Sequence, residues 1–217
     1  MFEGKSILDI LNMGGATMYV LILCSVISLT IILERIFHFR RKSVLSRDTF
    51  MLAVHEALVA KDAKQAISCC EAEKPAPIAN VALAGLTAEG DEKAVQNAMN
   101  RRIAVEVNEL ERFVNIVGTL GGTVVYVGLF GTVIGIIRAF HEISLTATTG
   151  GGMTMVISGI AEALICTATG IAVAVPSVIA YNLLSKRIED MKLSMELTAS
   201  EMNDLIRVHG HGHQKHH

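Results

Sequence analysis

The chain has 217 residues, 51% of them hydrophobic, and a formal net charge of -2 at pH 7. An ordinary soluble domain is less apolar, at about 45–50% even when glycine is counted. The composition therefore argues against a soluble enzyme or binding domain and favours a protein built around membrane-spanning segments.

Three long stretches without charged residues follow one another along the chain: Ile10–Leu33, Phe113–Ile137 and Ala163–Ser185. About 20 residues in a helix cross the hydrocarbon core of a bilayer. The sequence therefore predicts an all-α membrane protein with transmembrane helices at 15–36, 113–139 and 154–181. Glu34 and Arg35, rather than a small-residue cleavage site, follow the first stretch, so we expect it to be retained.

The basic residues predict an orientation. Twelve of the 19 lysines and arginines lie in Arg35–Arg112 and five lie from Lys186 onward. By the positive-inside rule these parts are cytoplasmic. We therefore expect a multi-pass protein of the bacterial inner membrane with a periplasmic N-terminus and a cytoplasmic C-terminus. Its other segments are an amphipathic periplasmic segment at 1–14, a helical cytoplasmic segment at 37–112, a periplasmic loop at 140–153, a cytoplasmic helical extension at 182–208 and a tail at 209–217.

Helical periodicity continues beyond the membrane. Apolar residues recur every three or four positions from Val95 to Val114, which predicts a helix that runs straight into the second span. After the third span, seven residues follow heptad spacing: Leu184, Ile188, Met191, Met195, Thr198, Met202 and Leu205. Such a seam is typical of a helix packed within its own chain or of an inter-subunit contact, and the pattern leaves both open.

Four cysteines and a histidine-rich tail carry little functional signal. Cys24 and Cys166 fall inside spans, and Cys69 and Cys70 lie where thiols stay reduced, so we expect no disulfides. The tail offers a weak transition-metal site at His209, His211 and His213. We favour the alternative that it is a low-complexity end or an added tag, and we predict no metal cofactor.

The second span is rich in glycine. Gly121, Gly128 and Gly135 are seven residues apart and share one helix face, with Gly131 nearby. Small residues let membrane helices approach closely, so we predict helix packing here. In the third span, Pro176 removes a backbone donor and predicts a kink.

Glu162 is a lone carboxylate in the apolar third span. An acidic residue near a membrane helix centre costs about 2.5–3.5 kcal/mol on insertion scales, and such residues usually face a bundle interior or a water-filled path. Glu162 therefore points to ion movement. An enzyme is not predicted, because His55-Glu56 and His141-Glu142 lack the second histidine of HExxH and no P-loop or nucleophile elbow is present.

Three segments of the second and third spans carry a family resemblance. The segments 126–136 (YVGLFGTVIGI), 159–171 (GIAEALICTATGI) and 175–182 (VPSVIAYN) resemble the MotA/TolQ/ExbB proton channel family, and ExbB most closely. One departure is Val125, where the family often has proline. By motif position, Thr132 and Thr167 match the family's pore threonines, and Glu162 matches its glutamate of the third helix.

The resemblance implies a homopentamer around a central pore that holds the single helix of an ExbD/TolR-like partner. Protons, passing an aspartate of that partner, would energise an envelope process such as TonB-dependent outer-membrane transport. Alternatives are a TolQ-like or a gliding or secretion motor subunit. From another class, a non-conducting structural scaffold in the membrane stays open. No inverted repeat supports a secondary transporter, and no nucleic-acid partner is expected.

Overall fold

The computed structural model describes residues 15–42, 46–146 and 152–210. These residues form seven α-helices and no β-strand: α1 (Gly15–Lys42), α2 (Arg47–Val59), α3 (Ala63–Ala72), α4 (Pro77–Leu86), α5 (Glu92–Glu111), α6 (Val114–Thr146) and α7 (Gly152–Gly210). The predicted segment at 1–14 lies outside the described residues, as does most of the tail.

Three of these helices are long and apolar enough to cross a membrane, over Gly15–Arg40, Val114–Ser144 and Val156–Val208. The three predicted apolar helices are therefore confirmed. Each helix continues past the predicted end of its span. No glycine or proline occurs in 37–42 or 140–146, so nothing in those residues terminates α1 or α6 where the apolar stretch ends.

The chain divides into two compact units, Met1–Leu33 with Phe113–Leu183 and Glu34–Arg112 with Leu184–His217. The first unit packs α1, α6 and α7 around a small core of Met18, Leu21, Val124 and Cys166. Many other apolar side chains of this unit stay exposed, such as Leu23 and Leu164. Exposed apolar side chains on long apolar helices fit a lipid environment or contact with other chains.

The second unit contains α2 to α5 with the ends of α1 and α7. Three of its helices begin where the sequence supplies a cap or an initial proline: Asp62 accepts a hydrogen bond from the Gln65 amide, Asp91 accepts one from the Ala94 amide, and Pro77 opens α4. Such caps satisfy backbone donors at a helix start. The core of this unit includes Val54, Val81, Met99, Leu110, Met195 and Met202.

Five of the seven residues in the heptad seam of α7 are buried within this single chain. Leu184, Ile188, Met195, Thr198 and Met202 are all at most 7% exposed. On the same helix, Ile206 approaches Gly85 of α4. Of the two interpretations that the pattern left open, the structure supports packing within the chain.

One predicted helix is interrupted. The periodic pattern from Val95 to Val114 does not continue as one helix into the second span, because α5 ends at Glu111 and α6 begins at Val114. Arg112 has an extended ψ of 128°, and Phe113 takes a left-handed φ of 66°. Neither residue is a glycine or proline, so residue type gave no signal for the break, and the prediction of a continuous helix is wrong.

Candidate functional site

The candidate site lies where α6 and α7 come into backbone contact in the first unit. A Cβ atom added to Gly128 would lie 3.0 Å from the Cys166 carbonyl oxygen and 3.2 Å from the Gly170 Cα atom. A side chain at Gly128 would require the two backbones to move apart by a few tenths of an ångström. The two glycines therefore set the separation of the two helices at this level of the unit.

This close approach brings Thr132 of α6 against Thr167 of α7. The two side-chain oxygens are within hydrogen-bonding distance of each other. The Thr132 hydroxyl also lies 3.2 Å from the Gly128 carbonyl oxygen and 3.4 Å from the Ala163 carbonyl oxygen. The Thr167 hydroxyl lies 3.3 Å from the same Gly128 carbonyl oxygen. Both side chains are half-buried.

The threonine pair can handle a proton without carrying charge itself. A hydroxyl donates one hydrogen bond and accepts two, and its hydrogen rotates to suit its surroundings. Two such groups in contact, with carbonyl acceptors on both helices, can reorient along a hydrogen-bonded chain. Other threonines of the unit are arranged differently: Thr123 and Thr169 donate to carbonyl oxygens of their own helices.

Glu162 lies in a cavity next to this contact. The cavity has a volume of about 190 Å³, and its walls include Arg138, Glu142, Ala163 and Cys166 besides Glu162. Glu162 is half-buried. Ala163 and Cys166 also border the glycine-mediated helix contact. The Glu162 carboxylate and the Thr132–Thr167 pair therefore lie in neighbouring parts of the interface between α6 and α7. Glu162 and Thr167 are on different faces of α7, because they are five residues apart.

The few charged residues between positions 113 and 185 lie together at this cavity. Residues 113–185 contain only three residues charged at neutral pH: Arg138, Glu142 and Glu162. All three line this cavity. Sequence reasoning assigned Arg138 to no site and considered Glu142 only to reject a metalloprotease motif. Their scarcity in an apolar segment was the signal that could have assigned both to the site.

The remaining glycines predicted to pack also lie at helix contacts. A Cβ atom on Gly121 would meet Val178, one on Gly131 would meet Thr17 and Cys166, and one on Gly135 would meet Ala163, each within 3.1 Å. Gly131 therefore brings α1 as well as α7 close to α6.

A second polar contact ties α1 to α7 near the predicted kink. Buried Ser28 and Ser177 share a hydrogen bond of 2.7 Å, and the Ser177 hydroxyl also lies 2.8 Å from the Val173 carbonyl oxygen. Pro176, beside this contact, lies inside α7, which the backbone hydrogen-bond pattern leaves as one helix. The predicted kink stays a prediction.

No metal-binding cluster of three or more His, Cys, Asp or Glu side chains occurs in the described part of the chain. The proposed weak site in the tail cannot be placed. His211 and His213 lie outside the described residues, and the side chain of His209 is not described.

Three apolar helices with a polar contact and a charged cavity between them define a multi-pass helical membrane protein with features of an ion path. Residues 73–197 match the model of the MotA/TolQ/ExbB proton channel family. Because that match covers more than half of the chain, the chain belongs to this family, and the resemblance noted in its motifs is confirmed. Family and apolar helices support a protein of the bacterial inner membrane.

Curated relatives carry two different names. The chain is 37% identical over 124 residues to the Tol-Pal system protein TolQ of Haemophilus influenzae, covering 57% of this chain and 54% of that protein. It is 34% identical over 118 residues to the biopolymer transport protein ExbB of Pseudomonas putida, covering 54% and 35%. It is 44% identical over 97 residues to TolQ of Pseudomonas aeruginosa, covering 45% and 41%. The chain thus spans about half or less of the length of these relatives.

Proposed function

We propose that this chain is a channel subunit of an inner-membrane motor that uses the proton motive force. The observation that carries the proposal is the contact of Thr132 with Thr167 beside the cavity of Glu162. It places hydroxyls and a carboxylate between helices that are otherwise apolar. Polar groups at such depth are costly unless they serve a polar or hydrated path. Protons are the transported ion.

The carrier that binds and releases each proton belongs to a partner of the ExbD/TolR kind. Residues 113–185 contain no aspartate, and Glu162 acts as a polar station in the wall of the path. The partner's single helix occupies a pore formed by five copies of this chain. Tyr126 favours such an assembly, because its side chain is 70% exposed on a single chain and its hydroxyl needs a hydrogen-bonding partner that lipid does not supply.

The orientation follows the basic residues. The second unit carries most of the lysines and arginines, so we place it in the cytoplasm and the start of α1 at the periplasmic face. In that orientation Arg138 and Glu142 stand nearer the periplasmic end of α6 than Thr132, and the cavity forms the periplasmic side of the path.

Proton flux through the reconstituted complex tests the proposal. The chain is co-expressed with an ExbD/TolR-like protein, purified and placed in vesicles with a pH-sensitive dye inside. We expect Glu162→Gln and Thr167→Val to reduce the flux at least about tenfold, equivalent to about 1.4 kcal/mol in barrier height. Thr169→Val is the matched control, because Thr169 lies two residues away and donates to its own helix at Ile165.

The outcome separates the channel from a structural scaffold. Complexes of both variants must elute at the same size as the wild-type complex, so that a loss of flux is not a loss of assembly. Wild-type flux in both variants, or no flux in the wild type, would overturn the channel proposal and favour the scaffold. A loss of flux in Thr169→Val equal to that in Thr167→Val would remove the assignment to the threonine pair.

The envelope process that the motor drives is TonB-dependent outer-membrane transport, with a Tol-type process as the second candidate. Relatives named ExbB and TolQ match at similar identity, so the two are separated by phenotype. Deletion of the gene is expected to abolish growth on iron chelated by a siderophore. Sensitivity to detergents with normal siderophore use would favour the Tol-type process instead.

A further inference from the structure

One face of α6 leaves a regular row of large side chains uncovered. Its members follow one another at alternating steps of four and three residues and are 54–70% exposed: Tyr126, Phe130, Val133, Ile137 and Phe140. Steps of four and three keep residues on one side of a helix. These five residues, here named the α6 stripe, therefore form one continuous surface.

A second row lies on α7 and alternates in size. It follows the same steps of four and three residues: Ile157, Ala161, Leu164, Ala168, Ile171 and Val175. Its four large members are 46–60% exposed, Ala168 is exposed and Ala161 is half-buried. Small residues on a membrane helix let a neighbouring helix approach closely. This row, here named the α7 stripe, thus offers two shallow positions between larger side chains.

The two stripes point to opposite sides of the α6–α7 pair. Gly128 of α6 contacts Gly170 of α7. Phe130 lies two residues after Gly128, and Ala168 lies two residues before Gly170, so each is turned by about 200° from that contact. Because the helices run antiparallel, the same two steps also place Phe130 and Ala168 at one level along the pair. The stripes of one chain are therefore level with each other but cannot cover each other.

A second pair of residues repeats this arrangement one heptad away. Gly135 contacts Ala163, where an added Cβ atom would lie 2.6 Å from the Ala163 Cβ atom. Ile137 lies two residues after Gly135, and Ala161 lies two residues before Ala163. Both alanines of the α7 stripe therefore stand level with large residues of the α6 stripe, so the two surfaces match in size as well as in spacing.

We propose that the α6 stripe of one copy packs against the α7 stripe of the next copy, with Phe130 and Ile137 seated on Ala168 and Ala161. Copies related by rotation about the membrane normal keep every residue at its level, so the size match within a chain becomes a match between neighbours. A contact between two different faces closes into a ring when the rotation allows it. The inference rests on the proposed function for the ring of copies, and it names the two faces that build it.

The two stripes are large enough for a specific contact. A buried aromatic side chain covers about 150–250 Å², so nine large side chains near half exposure leave on the order of 1,000 Å² uncovered. A specific protein interface buries at least about 1,000 Å² in total. Pairing of the stripes between copies therefore reaches the size at which a stable contact is expected.

Oxidative cross-linking of the full chain in membranes, co-expressed with an ExbD/TolR-like protein, tests the register. Phe130→Cys/Ala168→Cys places both cysteines in every copy, and a disulfide needs Cα atoms within about 7 Å of each other. We expect a ladder of cross-linked oligomers on a non-reducing gel. Each single variant measures the background from the four native cysteines.

Phe130→Cys/Ala161→Cys is the matched control, because one heptad displaces the pair by about 10 Å along the helix axis. It should give no more product than the single variants. Equal product from the matched and the control pair would overturn the proposal. So would background product from both, which is the result expected if lipid or the partner's helix covers the stripes.

Exchange of the two side chains is a second test that needs no oxidation. Ala168→Phe sets two phenylalanines against each other between copies, and it should remove the oligomer peak from size-exclusion chromatography in detergent. Phe130→Ala/Ala168→Phe restores the size match and should recover the peak. The two side chains lie on opposite sides of one chain, so recovery reports a contact between copies. Ile137→Ala/Ala168→Phe is the matched control and should not recover it.

Three results of the exchange would overturn the proposal: an unchanged peak in Ala168→Phe, no recovery with Phe130→Ala, or equal recovery with Ile137→Ala. Both tests measure assembly, and neither needs proton flux. A complex that cross-links in the expected register but conducts no protons would contradict the channel proposal alone. Wild-type flux without the matched cross-link would contradict this inference alone.

Discussion

Replacement of Gly128 by alanine should separate α6 from α7. The added Cβ atom would lie 3.0 Å from the Cys166 carbonyl oxygen, 3.2 Å from Gly170 Cα and 3.3 Å from Thr167 Cα. All three neighbours are backbone atoms of one helix, so no side chain can turn aside and the helices must move apart by a few tenths of an ångström. Overpacking of this kind costs about 1–3 kcal/mol.

Gly122→Ala is the matched control on the same helix. A Cβ atom there meets nothing within 4 Å, so only the backbone effect of the substitution acts. Where the conformation is compatible, glycine to alanine stabilises by about 0.4–1 kcal/mol through the unfolded chain. The same gain applies at Gly128, where the steric cost exceeds it. The two variants should therefore differ by about 1–3 kcal/mol.

Thermal unfolding of the purified chain in one detergent, followed by circular dichroism, measures this difference. For a chain of this size, 1 kcal/mol shifts Tm by about 2–4 °C. Gly128→Ala is expected to melt several degrees below Gly122→Ala, and Gly122→Ala at or slightly above the wild type. Equal melting temperatures for the two variants would refute the conclusion that backbone contact at Gly128 sets the helix separation.

Two further predictions concern other parts of the chain. Ser28→Ala removes the buried hydroxyl that shares a hydrogen bond of 2.7 Å with Ser177. It should destabilise the chain by about 0.6–1.7 kcal/mol in the same melting assay. Thr30→Ala is the control and should change the melting temperature little, because Thr30 is exposed and its hydroxyl bonds a carbonyl oxygen of its own helix. Burial, with a smaller contribution from Cys69, raises the pKa of Cys70 to about 11. Its thiol therefore stays protonated below that pH, and its reactive thiolate forms only as pH rises through about 11. Mass spectrometry after brief iodoacetamide treatment of the folded chain at pH 8 should find Cys70 unmodified, and rapid modification there would contradict this.

The sequence predicted the apolar helices because their signal is local. An uncharged stretch of membrane-spanning length is visible without knowing what it packs against. The break at Phe113 was missed for the opposite reason. Its left-handed backbone belongs to a residue type that rarely takes it, so no pattern of residue types announces it.

The site was predictable only in part. Thr132 and Thr167 are 35 residues apart, and periodicity cannot pair residues on different helices; family resemblance singled out each of them. The family resemblance did not identify Arg138 and Glu142 as residues of the Glu162 cavity. Arg138 and Glu142 are brought to Glu162 by the packing of α6 on α7, which depends on contacts such as Gly135 against Ala163.

The second unit is discontinuous in sequence, which has a consequence for biosynthesis. Its N-terminal part ends at Arg112, yet its core requires Met195 and Met202, and its surface contacts include Arg47 with Glu201 at 2.6 Å. The ribosome makes those residues only after both later apolar helices. While the later apolar helices are inserted into the membrane, the apolar surface of α2 to α5 that packs against the end of α7 therefore stays exposed. The second unit is completed only after these helices have been inserted. A chain that stalls before α7 would expose the apolar surface of α2 to α5 to chaperones and proteases.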